Sequence, residues 1–134
     1  MEPARQMART IKVVLVDDSD AFARAATAFL KRNARVELLA VANGGTQALE
    51  LVRQHRPDLV LVDLNMPGMD GLEATRRIKA LHAAPKVLAM TLEDLAERET
   101  AAERAGADAF LLKTDLGTKL YALIDRLFPG HAHD

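Results

Sequence analysis

The sequence contains no cysteine and no tryptophan, and its 134 residues include one tyrosine and four phenylalanines. Without cysteine there can be no disulfide, no thiol nucleophile and no Cys-ligated zinc. With aromatics at 4%, the core must be built from Val, Leu, Ile, Ala and Met. No apolar run approaches the length that spans a bilayer. The arginines of "MEPARQMART" are not followed by the apolar segment of a signal peptide. An excess of one charge is missing too. The formal net charge is -1, which gives no reason to expect direct nucleic-acid binding or an anionic membrane as partner. The expected compartment is the cytoplasm.

What is present suffices for one domain. Hydrophobic residues make up 49% of the chain, enough for a real core at single-domain length. Residues 1–9 are expected to be a flexible polar tail, with Met7 an alternative start. Residues 10–128 read as the folded unit. Residues 129–134 read as a second flexible tail, whose "HAHD" is a weak metal-binding prospect beside simple fraying. There is no internal repeat, low-complexity tract or linker.

Short apolar runs alternate with helical patterns five times. The runs are Ile11–Val16, Val36–Val41, Leu59–Val62, Lys86–Met90 and Ala109–Leu112. Stretches such as "LVLV" and "AFLL" are nearly continuous in apolar residues, as strands covered on both faces are. Helical spacing predicts Asp20–Arg32 (inner face Phe22, Ala25, Ala26, Phe29), Thr46–His55, Leu72–Leu81, Leu92–Ala105 and a last helix striped by Leu116, Leu120, Leu123, Ile124 and Leu127. The fourth helix offers only Leu95, Ala102 and Ala105 to a core, so it should be the least firmly docked. Ser19 or Asp20 is the expected first N-cap. Asp70 with Glu73, and Thr91 with Asp94, have capping-box spacing. Gly106 fits a helix C-terminus, and Pro57 ends the second helix. An ordered (βα)5 chain predicts an α/β fold: a flavodoxin-like, doubly wound parallel sheet in the order 2-1-3-4-5, with helices on both faces.

In such sheets the ligand crevice lies beyond the C-terminal strand ends, at the reversal of strand order. The residues at those ends are therefore the informative ones. Asp17 and Asp18 follow the first run, Asp63 the third, Thr91 the fourth and Lys113 the fifth. Each has an ordinary reading by itself: turn acids before a helix, a turn starter, a helix cap, a solvated lysine. Those separate readings leave unexplained why all five fall on one edge of one sheet. Three gathered carboxylates repel, and a hard divalent cation with oxygen ligands, Mg²⁺ above all, relieves that repulsion.

These residues carry a resemblance. "VDD" at 16–18, "NGGTQALELV" at 43–52, "VDLNMPGMDGLE" at 62–73, Thr91, and "AGADAFLLK" at 105–113 resemble the receiver domain of bacterial response regulators, the phospho-accepting half of two-component signalling. The likeness covers about residues 10–128, and the third motif is its most specific part. The resemblance implies that Asp63 takes a phosphoryl group from a histidine kinase or phosphotransfer protein. Asp18 would then ligate Mg²⁺ (or Mn²⁺), Asp17 would act on its water shell, and Asn65 would offer a backbone carbonyl. Thr91 and Lys113 would each engage a phosphoryl oxygen. Phe110 would be the switch aromatic that follows Thr91, and Asn65 and Glu93 would tune dephosphorylation. The signal would leave through the face formed by the fourth helix, fifth strand and fifth helix. It would pass to an output partner or fused output domain, or through a phosphorylation-dependent homodimer. The chain would catalyse only its own phosphorylation and dephosphorylation.

Two positions depart from the family pattern. Thr114 follows Lys113 where many receivers have proline, often cis. A non-proline cis bond costs about 2.5–4 kcal/mol, so a trans Lys113–Thr114 peptide is the natural expectation. Phe110 lacks the hydroxyl of the tyrosine common at its position. Such "LLKT" endings resemble receivers joined to helix-turn-helix DNA-binding halves, so the chain could be a fragment of a longer regulator or act alone. Three other functions fit these residues less well. A haloacid-dehalogenase-type phosphohydrolase needs Asp-x-Asp-x-Thr after the first strand, and here the acids are adjacent. A flavodoxin would need a hydroxyl- or glycine-rich phosphate loop in place of "DDSDA". A receiver-like interaction module that is never phosphorylated would not need the five polar residues together.

Overall fold

The computed structural model describes residues 9–130. The two expected tails, apart from Arg9, Pro129 and Gly130, and with them "HAHD", lie outside the described residues. Five parallel strands form one sheet in the order β2-β1-β3-β4-β5: β1 Ile11–Val16, β2 Val36–Ala42, β3 Leu59–Asp63, β4 Lys86–Thr91 and β5 Ala109–Leu112. Five α-helices connect and cover them: α1 Asp20–Lys31, α2 Gly45–His55, α3 Gly71–Lys79, α4 Ala96–Ala105 and α5 Leu116–Leu127. A turn of 3-10 helix at Lys113–Asp115 joins β5 to α5. This is the expected fold, and the strands found are those expected, lengthened at their C-terminal ends by Ala42, Asp63 and Thr91.

The sheet separates two apolar layers because consecutive strand residues point to opposite faces. Ile11, Val13 and Leu15 of β1 pack with Ala26 and Leu30 of α1 and with Leu120 and Ile124 of α5. Val14 and Val16 pack with Ala48, Leu49 and Val52 of α2 and Ile78 of α3. All five residues of β3 are buried, which is why that strand shows no alternation. Each fully enclosed Leu or Val contributes roughly 1.5–3 kcal/mol. One irregularity sits on the edge strand: pairing steps from Val13↔Leu38 to Val14↔Ala40, leaving Leu39 unpaired as a bulge.

Helix ends follow local chemistry. Ser19, not Asp20, caps α1, its side chain accepting from the Phe22 amide. Asp70 accepts from the Glu73 amide, but Glu73 turns to Arg76 and Arg77 rather than back to the cap, so only half of that capping box forms. Arg56, before Pro57, ends α2 in the left-handed conformation, and Gly106 ends α4 at φ 104°. No cis peptide occurs among the described residues, so Lys113–Thr114 is trans.

Three expectations fail. α4 begins at Ala96, not Leu92, because Thr91 and Asp94 make no capping box: the Thr91 hydroxyl accepts from the Glu93 amide, and Leu95 at the cap supplies no side-chain bond. Leu95 consequently faces solvent and not the core. Ala25 in α1 also points outward, while Ala26 is enclosed.

Candidate functional site

The sheet delivers its acids to one edge. Strands β1 and β3 are neighbours, with Val16 level with Val62, so Asp17 and Asp63 emerge side by side. Both are enclosed, whereas Asp18 is exposed. One carboxylate oxygen from each of Asp17, Asp18 and Asp63 lies within 4.8 Å of the others. Thr91 ends β4 and is buried, and Lys113 follows β5 and is 9% exposed.

Backbone amides hold the acids in place. Asp17 Oδ1 accepts from the Ser19 amide at 2.8 Å, and Asp63 Oδ1 from the Asn65 amide at 3.0 Å. Gly71 lets α3 begin against this strand end, since a Cβ there would collide with the Asp63 carbonyl and Leu64 Cα. The sequence suggested a metal as the relief for gathered carboxylates. The fold also supplies a cation of its own: Lys113 Nζ lies 2.8 Å from Asp17 Oδ2 and 3.3 Å from Asp63 Oδ2. Burial raises the Asp63 pKa above the usual aspartate range. Asp17 adds to the rise, while the Asn65 amide and Lys113 oppose it.

A divalent cation fits this donor set. Asp17 Oδ2 is enclosed, and the charge that faces it is the Lys113 ammonium at 2.8 Å. Three hard oxygen donors within 4.8 Å of one another, two enclosed and one exposed at the rim, with a single ammonium among them, make the kind of site Mg²⁺ prefers. Asp17, Asp18 and Asp63 are the side chains that could hold it.

The hydroxyl and amide groups form a second layer. Thr91 Oγ1 donates to Asn65 Oδ1 at 2.8 Å, and Asn65 Nδ2 donates to Glu93 Oε1 at 3.2 Å. Glu93 in turn lies 3.6 Å from Arg98 Nε. Arg98 Nη2 reaches the Leu64 carbonyl at 3.5 Å. Thr91, Asn65 and Glu93 were singled out from the sequence. Arg98 was not, since an arginine in a charged helix gives no signal by itself. Phe110 is part-buried beside Leu64, Ala89 and Ala102. It also borders a cavity of about 170 Å³ between α4 and α5, with Glu99, Glu103 and Arg126. Phe22 was read only as a core residue, yet its ring centroid lies 4.4 Å from Lys113 Nζ.

Comparison with known proteins agrees with this geometry. Residues 13–125 match the family model described as the response regulator receiver domain. The protein-glutamate methylesterase/protein-glutamine glutaminase of Geobacillus kaustophilus is 37% identical over 128 residues, covering 93% of this chain and 37% of that protein. The transcriptional regulatory protein DegU of Brevibacillus brevis is 34% identical, covering 77% and 44%. The signal receiver domain of the response regulator NarL from Mycobacterium tuberculosis superposes with a TM-score of 0.82 at 31% identity, covering 89% and 97%. The chain thus spans less than half the length of these two curated relatives and nearly the whole of that receiver domain. With a parallel 2-1-3-4-5 sheet, three carboxylates and a lysine at its C-terminal edge, and a family match along most of its length, the chain belongs to the response regulator receiver domains of two-component systems.

Proposed function

We propose that the chain accepts a phosphoryl group on Asp63 from a phosphohistidine of a histidine kinase or phosphotransfer protein. The observation that carries this reading is the placement of Asp63 within one carboxylate cluster and 3.3 Å from the Lys113 ammonium. Asp63 attacks phosphorus; the new O–P bond forms as the P–N bond breaks and imidazole leaves. Asp17, Asp18 and Asp63 would hold a divalent ion, with the Asn65 backbone carbonyl as a further donor, and when bound that ion would supply the charge neutralisation a loose phosphoryl-transfer transition state needs. Lys113 shifts from carboxylate to phosphoryl oxygen, and Thr91 leaves Asn65 to donate to another. Water later cleaves the mixed anhydride, returning the Asp63 carboxylate and inorganic phosphate, with Asn65 and Glu93 at the approach. The chain in this reading modifies only itself.

The output is a shift of two-state elements. Thr91 moving inward vacates space for Phe110. The change spreads over α4, β5 and α5, where an output partner, a fused domain or a second copy would sense it. The transcriptional regulatory protein DegU suggests a transcriptional output, and the methylesterase an enzymatic one.

The test is to incubate the protein with a small acyl phosphate, with and without Mg²⁺, and weigh it intact. A phosphoryl adduct that needs the ion and disappears in Asp63→Asn supports the reading. An unmodified wild type, under conditions that label other receivers, favours an interaction module instead.

A further inference from the structure

Lys113 is asked to do two incompatible things. Without a bound cation it must stay between Asp17 and Asp63. During phosphoryl transfer it must let go of Asp63 and meet a phosphoryl oxygen, while a divalent cation would compete with it for both carboxylates. Something that competes with neither partner must keep it placed through that exchange.

The structure provides that something in α1. Phe22 lies in the first turn, and its ring centroid is 4.4 Å from Lys113 Nζ, well within cation–π range. A closed circuit of contacts links Phe22 to the acids of the site. Asp17 Oδ1 accepts from the Ser19 amide at 2.8 Å. Ser19 Oγ accepts from the Phe22 amide at 3.2 Å. The Phe22 ring faces Lys113, whose Nζ returns to Asp17 Oδ2 at 2.8 Å. The Lys113 side chain is 6% exposed, so water is nearly excluded from it. An ammonium has three N–H bonds. Two carboxylates stand within reach, and the negative face of the ring is left for the third.

We propose that Phe22 is a positioning residue for Lys113: its aromatic face keeps the ammonium at the phosphorylation site while it passes from Asp63 to a phosphoryl oxygen. The inference rests on the phospho-acceptor reading above. It differs from an ordinary core role because an aliphatic side chain of similar volume would fill the space but would not hold a cation.

The experiment compares Phe22→Leu, which keeps apolar packing, with Phe22→Tyr, which keeps the ring. Two readouts are taken. In NMR spectra of the metal-free protein, the ring current should move the Lys113 ε-methylene protons upfield in wild type and Phe22→Tyr, and that shift should vanish in Phe22→Leu. In Mg²⁺-dependent labelling by acyl phosphate, Phe22→Leu should lower the saturating rate roughly three- to tenfold, with less change in half-saturation, and Phe22→Tyr should restore it. If wild type is labelled but Phe22→Leu labels at the same rate, or if the Lys113 protons show no ring-current shift, the inference fails alone. A wild type that takes no phosphoryl group overturns the phospho-acceptor reading itself.

Discussion

Lys113 Nζ sits closer to Asp17 Oδ2, at 2.8 Å, than to Asp63 Oδ2, at 3.3 Å. The lysine is first a counter-ion for Asp17 and only second a partner of the proposed phospho-acceptor. That ranking makes the site sensitive to charge balance: two buried carboxylates share one buried ammonium.

Removing the ammonium should therefore destabilise the fold. Lys113→Ala leaves Asp17 and Asp63 enclosed without their cation, and breaking a buried ion pair from one side costs about 3–5 kcal/mol. Denaturant unfolding in a chelator should show that loss. Millimolar Mg²⁺ should recover part of it, because the ion takes over the neutralising role.

Asp63→Asn should do the reverse in a chelator. Burial raises the Asp63 pKa, so the folded state holds its proton more tightly than the unfolded chain does. The stability linked to that proton is complete below the unfolded pKa and is lost as pH rises through the raised folded value. Above that raised value the ionised Asp63 weighs against the fold, and Asp63→Asn should raise the melting temperature. The advantage should fade as pH falls through the raised value toward the ordinary aspartate range, and should shrink or reverse with Mg²⁺ present. Melting curves across pH check this.

Much of this site was legible in the sequence because strand ends in a parallel sheet are fixed by topology. Once "VVLVDD" and "LVLVD" are adjacent strands, Asp17, Asp18 and Asp63 must meet. Thr91 and Lys113 followed in the same way. The start of α4 was not legible: Thr91 and Asp94 have the spacing of a capping box, but the Thr91 hydroxyl is occupied by Asn65 and the Glu93 amide. A tertiary contact thus overrode a local signal. Phe22 and Arg98 escaped notice for a related reason. Helical spacing says which way a residue points, not which distant residue it meets.

Gly71→Ala should show how closely α3 abuts the acceptor strand. The added methyl would collide with the Asp63 carbonyl and Leu64 Cα, both backbone atoms that cannot rotate aside. A stability loss of roughly 1–3 kcal/mol is expected, with shifted backbone NMR signals at residues 63–65. A neutral substitution would mean that the helix start slides easily.

Arg98 is the contact that ties a weakly buried helix to the site. α4 encloses only Ala102 and Ala105, while Arg98 reaches the Leu64 carbonyl and Glu93. Both contacts are long and partly solvated, so the effect should be modest. Arg98→Ala should lower amide-exchange protection in α4 roughly two- to fivefold, leaving α1 and α5 unchanged. Uniform protection across all helices would remove Arg98 from this role.

Of the three clustered carboxylates, Asp63 is the one proposed to carry the phosphoryl group beside a cation that Asp17 and Asp18 help to hold. Labelling with acyl phosphate and Mg²⁺, reduction of the aspartyl phosphate with borohydride, and peptide mass mapping locate the modified residue directly. Modification is expected at Asp63 alone, and none in a chelator. Modification at Asp17 or Asp18, or labelling that proceeds without a divalent ion, would contradict that assignment.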